Sequence, residues 1–151
     1  MIMEQIETLI VGGGQAGLTM SHMLSRRSCP HLLLERGRIG ERWQSERWDG
    51  LRFQFPNWSV RLPDFPFSSA DPHGFATSNE IVAYLEAYAK LMNPPIRCGV
   101  TVTGLRRGED GKGLLVQTPT AAFAAHNVVI ATGPYQHPVI PQLIAPGSVS
   151  H

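Results

Sequence analysis

Gly12, Gly14 and Gly17 stand in a G-x-G-x-x-G pattern within "VGGGQAGLTM", and Glu35 follows 21 residues after Gly14. These residue types at these distances suit one piece of chemistry, the holding of a dinucleotide. A glycine at 12 permits a tight turn, one at 14 lets the backbone approach a pyrophosphate with no Cβ in the way, and one at 17 allows a helix to pack closely on a strand. Free N–H groups at the positive end of that helix hold the anion. A carboxylate at 35 can accept both hydroxyls of an adenosine ribose and repels a 2′-phosphate, which favours FAD or NAD over NADP at this site. The neighbouring Arg36 weakens that exclusion.

Such spacing has meaning only if regular elements position it. Glu7-Thr8-Leu9-Ile10-Val11 is an apolar, β-branched run ending at Gly12, which predicts a buried parallel strand. Ala16 through Arg27 lack proline and carry Leu18, Met23 and Leu24 at helical spacing, and after Pro30 the run His31-Leu32-Leu33-Leu34 predicts a second strand ending on Glu35. Strand, glycine turn, helix, strand and acid together make a dinucleotide-binding unit of the Rossmann type.

The middle of the chain departs from regular strand and helix alternation. Residues 37–75 hold three Trp and five Phe with little periodicity, a long irregular insertion whose aromatic density argues against disorder. Those rings can cover an open edge of the core, or they can wall a flat apolar ring system such as a flavin. At Thr77-Ser78-Asn79-Glu80 a T-x-x-E capping box opens a helix whose apolar face is Ile81, Leu85, Tyr88 and Met92, stopping at Asn93-Pro94-Pro95. Val100 to Thr103 predicts a strand, Arg106 to Gly113 a turn, Leu114 to Thr118 its partner and Ala121 to Ala125 a third strand. That is an antiparallel meander over 99–125. Val128 to Thr132 then closes the parallel sheet.

Composition narrows the function classes. With 151 residues, 42% hydrophobic, 17% charged and a net charge of +1, the chain offers one ordinary globular core and no electrostatic footprint for nucleic acid. No apolar run is long enough to span a bilayer, and the N-terminus lacks a basic region followed by an apolar core. Cys29 and Cys98 have no CxxC spacing and read as reduced thiols of a cytoplasmic protein. His22, His31, His73, His126 and His137 lack ligand spacing, so no metal is expected, and Asp64 and Asp71 sit beside prolines in turn contexts.

The order of these segments, with "VGGGQAGL", "ERGRIGERW", "LPDFPF", "ATGPYQHPVIP" and "GSVSH", resembles the two-dinucleotide-binding flavoproteins and, within them, the flavin-containing monooxygenase group. The resemblance implies an α/β, Rossmann-like, three-layer FAD-binding fold with a parallel sheet and an inserted antiparallel β-meander, incomplete relative to the family. It gives the FAD pyrophosphate to Gly12, Gly14, Gln15, Ala16 and Gly17, and the adenosine ribose to Glu35. Arg42 and Trp43 match the family's G-G-x-W segment beside the flavin, although Glu41 stands where the second glycine is usual. Gln54 falls near the position where relatives place an Asn or His at the reactive edge of the flavin, and Asn57 competes for that role. Val102 matches the residue whose backbone faces adenine, and Thr132-Gly133 the second approach of the chain to FAD. The resemblance also implies NADPH as reductant and O₂ as oxidant.

Relatives carry a second G-x-G-x-x-G for NADPH after the ATG segment, and none follows here. Residues 145–151 align instead with the fingerprint F-x-G-x-x-x-H, with Gly147 and His151 matching and Ala145 in place of Phe. The expectation is an FAD-binding domain at 1–133 and a linker at 134–151 toward an NADPH-binding domain that is absent or separately encoded. Such a truncated chain would be inactive alone. A non-catalytic FAD-binding module is the alternative, and an NAD-dependent dehydrogenase fragment a lesser one.

Overall fold

The structure is a computed structural model and describes residues 2–108, 111, 113–134 and 139. Its centre is a six-stranded sheet in the order β5-β2-β1-β8-β7-β6, built from β1 (Ile2–Val11), β2 (His31–Leu34), β5 (Ile96–Arg97), β6 (Gly104–Arg107), β7 (Leu114–Gln117) and β8 (Ala121–Ile130). The pairs β1–β2, β2–β5 and β1–β8 are parallel, and β6–β7 and β7–β8 are antiparallel. The expected mixture of a parallel sheet and a meander is therefore present.

Successive residues of a strand point to opposite faces, and the core divides accordingly. Ile10 and Leu33 join a cluster with Leu18 of helix α1 (Gln15–Ser25) and with Ile81, Tyr84, Leu85 and Tyr88 of helix α3 (Ser78–Met92). Leu9, Leu32 and Leu34 face the other way and pack with Val116 and Phe123 of the meander, flanked by Val100 and Val102. Helices thus cover one face and the meander curls over the other. Each fully buried Leu or Ile contributes about 1.5–3 kcal/mol, so this two-sided core is what holds the turn after β1 in place.

Several strand boundaries differ from those predicted. β1 begins at Ile2 rather than Glu7, because its first half pairs in register with Ala121 to Ala125 of β8. The two runs Ala121–Ala125 and Val128–Thr132 are one strand, β8, ending at Ile130, which belongs to the meander on one side and to the parallel sheet on the other. Val100 to Thr103 is not a strand: Val100 N–H donates to the Glu35 carbonyl and Thr103 N–H to that of Gln117, and pairing starts only at Gly104. Arg106 and Arg107, read as turn, complete β6. A short strand at Ile96–Arg97, beside β2, had no counterpart in the prediction.

The insertion at 37–75 is more regular than expected. It contains helix α2 (Glu41–Ser45), a single 3₁₀ turn at Asn57–Ser59, and a hairpin of β3 (Arg61–Leu62) with β4 (Phe65–Pro66). Val60 and Leu62 are buried in the α3 cluster. The Tyr84 hydroxyl clamps the hairpin, accepting from Leu62 N–H at 2.7 Å and donating to the Phe65 carbonyl. Phe65 stacks on the Tyr84 ring at 5.3 Å between centroids, and Phe67 meets it edge-on at 5.2 Å. At the hairpin's turn Asp64 adopts φ 59° and receives hydrogen bonds from Arg26 at 2.6 Å and His22 at 3.1 Å, both on or next to α1. Asp64 is thus the structural turn residue its context predicted. No helix among the described residues is long and apolar enough to cross a membrane.

Candidate functional site

β1 delivers the chain into the glycine turn at the edge where β8 also ends. Gly12 has φ 112°, and a Cβ there would lie 2.5 Å from the Ala131 carbonyl oxygen. A Cβ at Gly17 would lie 1.8 Å from the Gly12 carbonyl oxygen. Both glycines are therefore demanded by the chain's own packing. Ala131 N–H donates to the Val11 carbonyl at 2.8 Å, which brings the ATG segment, with Thr132 exposed and Gly133 at φ 80°, beside the turn.

Gly14 is different. A Cβ at this position would meet nothing within 4 Å, so the protein interior does not require glycine there. Gly14 is the N-cap of α1 and no side chain caps the helix; the first intrahelical bond runs from Leu18 N–H to the Gly14 carbonyl. The N–H groups of the first turn are left without intrahelical partners, at the positive end of the helix dipole. Open space in front of an uncapped helix start is the condition a phosphate needs.

Glu35, at the end of β2, reaches back under this turn. Its Oε2 accepts from Gly13 N–H at 2.5 Å and its Oε1 from Gly37 N–H at 2.8 Å. A carboxylate has about four acceptor positions, so two backbone bonds orient the group and leave it capacity for ribose hydroxyls. Gly13, which the G-x-G-x-x-G pattern treats as variable, proves to matter: a Cβ there would stand 3.0 Å from the Glu35 side chain. The middle glycine of "GGG" was the only signal for it. Arg36 points elsewhere, pairing with Glu46 at 2.7 Å, and Arg42 meets the same carboxylate at 3.2 Å. Val102 is half-buried beside the second cluster, and its backbone makes no hydrogen bond to another described residue.

A cavity of about 290 Å³ adjoins the helix start, lined by Gln15, Trp43, Phe53, Phe55 and Arg61 with the apolar side chains of Val60, Ile81 and Leu85. Trp43 and Phe53 lie 5.9 Å apart between centroids, as do Phe53 and Phe55. Gln54 is exposed and lies outside this lining. The Phe53 N–H donates to the Ala76 carbonyl at 2.7 Å, and the chain bends at Gln54 and Phe55; Phe53 and Phe55 line the cavity and Gln54 does not. Asn57 is buried and staples the loop after β4, its Nδ2 donating to Ser69 Oγ at 3.0 Å and to the Asp71 carbonyl at 2.9 Å. Phe53 and Phe55 were named only as part of the aromatic insertion; their alternation in "LRFQFP" was the signal that singles them out. The structure thus brings together Gly12, Gly14, Gln15, Ala16, Gly17, Glu35, Thr132 and Gly133, with Trp43 on the adjoining wall. Among the described residues no group of three His, Cys, Asp or Glu could hold a metal ion. The fingerprint positions Gly147 and His151 lie outside the described residues.

Comparison with known proteins places this geometry. Residues 9–151 match the family described as pyridine nucleotide-disulphide oxidoreductase. An uncharacterized CzcO-like oxidoreductase of Geobacillus kaustophilus is 34% identical over 137 residues, covering 90% of this chain and 38% of the relative. A variant of the flavin monooxygenase from Stenotrophomonas maltophilia superposes with a TM-score of 0.81 at 25% identity, covering 92% of this chain and 41% of that one. OTEMO, solved in complex with FAD and NADP, shares the fold with a TM-score of 0.75 at 20% identity, covering 91% and 27%. The likeness to flavin monooxygenases read from the motifs is borne out, and the chain spans well under half the length of these relatives.

Proposed function

We propose, from the premise that this chain belongs to the pyridine nucleotide-disulphide oxidoreductase family, that it is the FAD-binding portion of a flavin- and NADPH-dependent monooxygenase. The observation that carries the proposal is Gly14, a glycine with open space before it at an uncapped helix start, 21 residues ahead of a carboxylate fixed by two backbone N–H groups. The first-turn N–H groups of α1 would hold the diphosphate, Glu35 the adenosine ribose, and the free backbone of Val102 the adenine. Thr132 and Gly133 would approach the cofactor from the β8 side, and Trp43, Phe53 and Phe55 would wall its ring system. Pairing of Arg36 with Glu46 removes the cation that could have welcomed a 2′-phosphate beside Glu35, which supports FAD over NADP at this turn.

Bound FAD would supply two-electron redox chemistry, reduced by NADPH and reoxidised by O₂ with transfer of one oxygen atom to a substrate. The residues described here orient the cofactor and exclude water from one face of its ring. Gln54 is exposed and outside the cavity lining, so it would have to turn toward the cavity to act at the flavin edge. The unit responsible for binding is assigned to residues 1–133. Two free thiols, Cys29 and Cys98, fit a reducing compartment such as the cytoplasm.

A visible-spectrum and fluorescence titration of the chain with FAD tests the proposal. The expected result is a shifted flavin band and quenched emission, reversed by excess ADP. Unchanged flavin emission together with NAD binding would overturn it in favour of a dehydrogenase unit. A finer expectation is that the FAD-loaded chain binds without consuming NADPH, since the sequence holds one glycine turn of this kind. Sustained NADPH oxidation would refute that non-catalytic reading and leave FAD binding intact.

A further inference from the structure

Arg61 opens strand β3 and lines the cavity, yet no acidic side chain among the described residues pairs with it. Other arginines of the chain are engaged: Arg26 with Asp64, Arg38 with Glu41, Arg36 with Glu46, and Arg52 with the Phe75 carbonyl. Arg61 has no hydrogen bond or ion pair among the described residues. Its side chain is exposed, but its backbone is anchored, because the next residue, Leu62, is buried and its N–H is held by the Tyr84 hydroxyl. Arg61 thus lines a cavity whose other polar residues are Ser59, Tyr84 and Gln15; the Ser59 and Tyr84 hydroxyls are bonded within the protein, and Gln15 is the first residue of the uncapped helix α1.

The size of the cavity sets what can lie where. About 290 Å³ is at the lower end for a small-molecule site, too small for a whole dinucleotide. The apolar and aromatic wall suits a ring system, which leaves the charged part of the molecule at the rim. Arg61 and the start of helix α1, where Gln15 stands, both line the cavity, and the positive potentials of the guanidinium and of the helix start add. A guanidinium fork matches phosphoryl oxygens in geometry as well as charge.

We infer that Arg61 is a further cofactor-binding residue, whose guanidinium takes the phosphoryl oxygens on the flavin side of the bound nucleotide at the mouth of this cavity. The inference rests on the FAD reading above. It assigns a role to a residue outside the glycine turn and outside every motif that carries the resemblance.

The test is to titrate the wild-type chain, Arg61→Ala and Arg61→Lys with FAD, FMN and riboflavin, following flavin emission, with Lys90→Ala as a control for loss of a remote charge. Riboflavin has the ring and no phosphate, so its affinity reports the cavity and the fold. Arg61→Ala should weaken FAD and FMN about tenfold, the loss of one charge-assisted contact, and leave riboflavin within about twofold. Arg61→Lys should fall between, keeping the charge without the fork, and Lys90→Ala should match wild type. Equal FAD affinity in wild type and Arg61→Ala would overturn the inference alone, as would an equal loss for riboflavin. A wild-type chain that binds none of the three flavins would overturn the FAD reading and the inference together.

Discussion

The two sides of the candidate site are built on opposite terms. At the glycine turn, backbone meets backbone: Gly17 lies against the Gly12 carbonyl, Gly12 against Ala131, and Glu35 is held by main-chain N–H groups. The aromatic insertion, which supplies Trp43, Phe53 and Phe55 to the cavity, instead offers side chains on short elements, many of them well exposed: Phe55 59%, Trp48 68% and Trp58 67%. As the proposed phosphate site, the first region would act with almost no side chains, because its geometry is dictated by close packing. The second must borrow rigidity from α3, chiefly through Tyr84. The candidate site therefore has one wall whose failure is a folding failure and one whose failure is local.

That contrast can be broken by substitution, beginning with Gly17→Ala. The new Cβ would fall 1.8 Å from a carbonyl oxygen that cannot swing aside, forcing α1 away from β1 at a cost of about 3 kcal/mol or more. All three tryptophans, Trp43, Trp48 and Trp58, lie in the insertion, so their emission reports that region while far-ultraviolet circular dichroism reports the whole. Gly17→Ala should lower both transitions together in urea. Tyr84→Phe comes next, leaving the buried Leu62 N–H without its acceptor, a loss of about 1–3 kcal/mol. Here the tryptophan transition should precede the dichroism transition, and coincident transitions would show that the insertion is not a separately anchored wall.

Gly14→Ala sharpens the comparison within the glycine turn itself. With nothing within 4 Å of the added Cβ, stability should drop by less than about 1 kcal/mol, the scale of an N-cap change, while FAD affinity falls at least about tenfold because the methyl group occupies the diphosphate's approach. Tight FAD binding by Gly14→Ala would remove the main support for the proposed site.

These differences also explain which parts were legible in the sequence. The glycine turn, β2 and the Thr77–Glu80 capping box were readable because each is set by residues a few positions apart; the box forms as written, with Thr77 N–H on Glu80 Oε2 at 2.8 Å and Glu80 N–H on Thr77 Oγ1 at 3.3 Å. The first half of β1 was not, since Met3, Glu4 and Gln5 lack an apolar run and are held by pairing with Ala122 to Ala124 more than a hundred residues later. The polar pair His126-Asn127 made β8 look like two strands, though Asn127 pairs with Thr8 in unbroken register. Val100 to Thr103 carried the right β-branched residues, but their backbone partners are Glu35 and Gln117, in different segments. In the site, residue types that act through the backbone were found, and side chains in the insertion were located only once the direction of "LRFQFP" was known.

The smallest expected effect concerns the tie between the two regions, Asp64. His22, through its hydrogen bond, and Arg26, through its charge, hold the Asp64 carboxyl below the usual carboxylate range, linking the hairpin turn to α1. A carboxyl whose pKa is lower folded than unfolded stabilises the fold above its unfolded value, about 3.9, and loses that contribution as pH falls through the folded value. The side chain is 57% exposed, so solvent screens the pair and the contribution is modest. Asp64→Asn keeps a residue tolerant of positive φ while removing the charge. Its melting temperature should lie slightly below wild type at pH 6, and the gap should close as pH is lowered below about 4. A gap that stayed constant with pH would mean that Asp64 acts through turn geometry alone, and that the glycine-turn and aromatic halves are joined by packing rather than by this ionic latch.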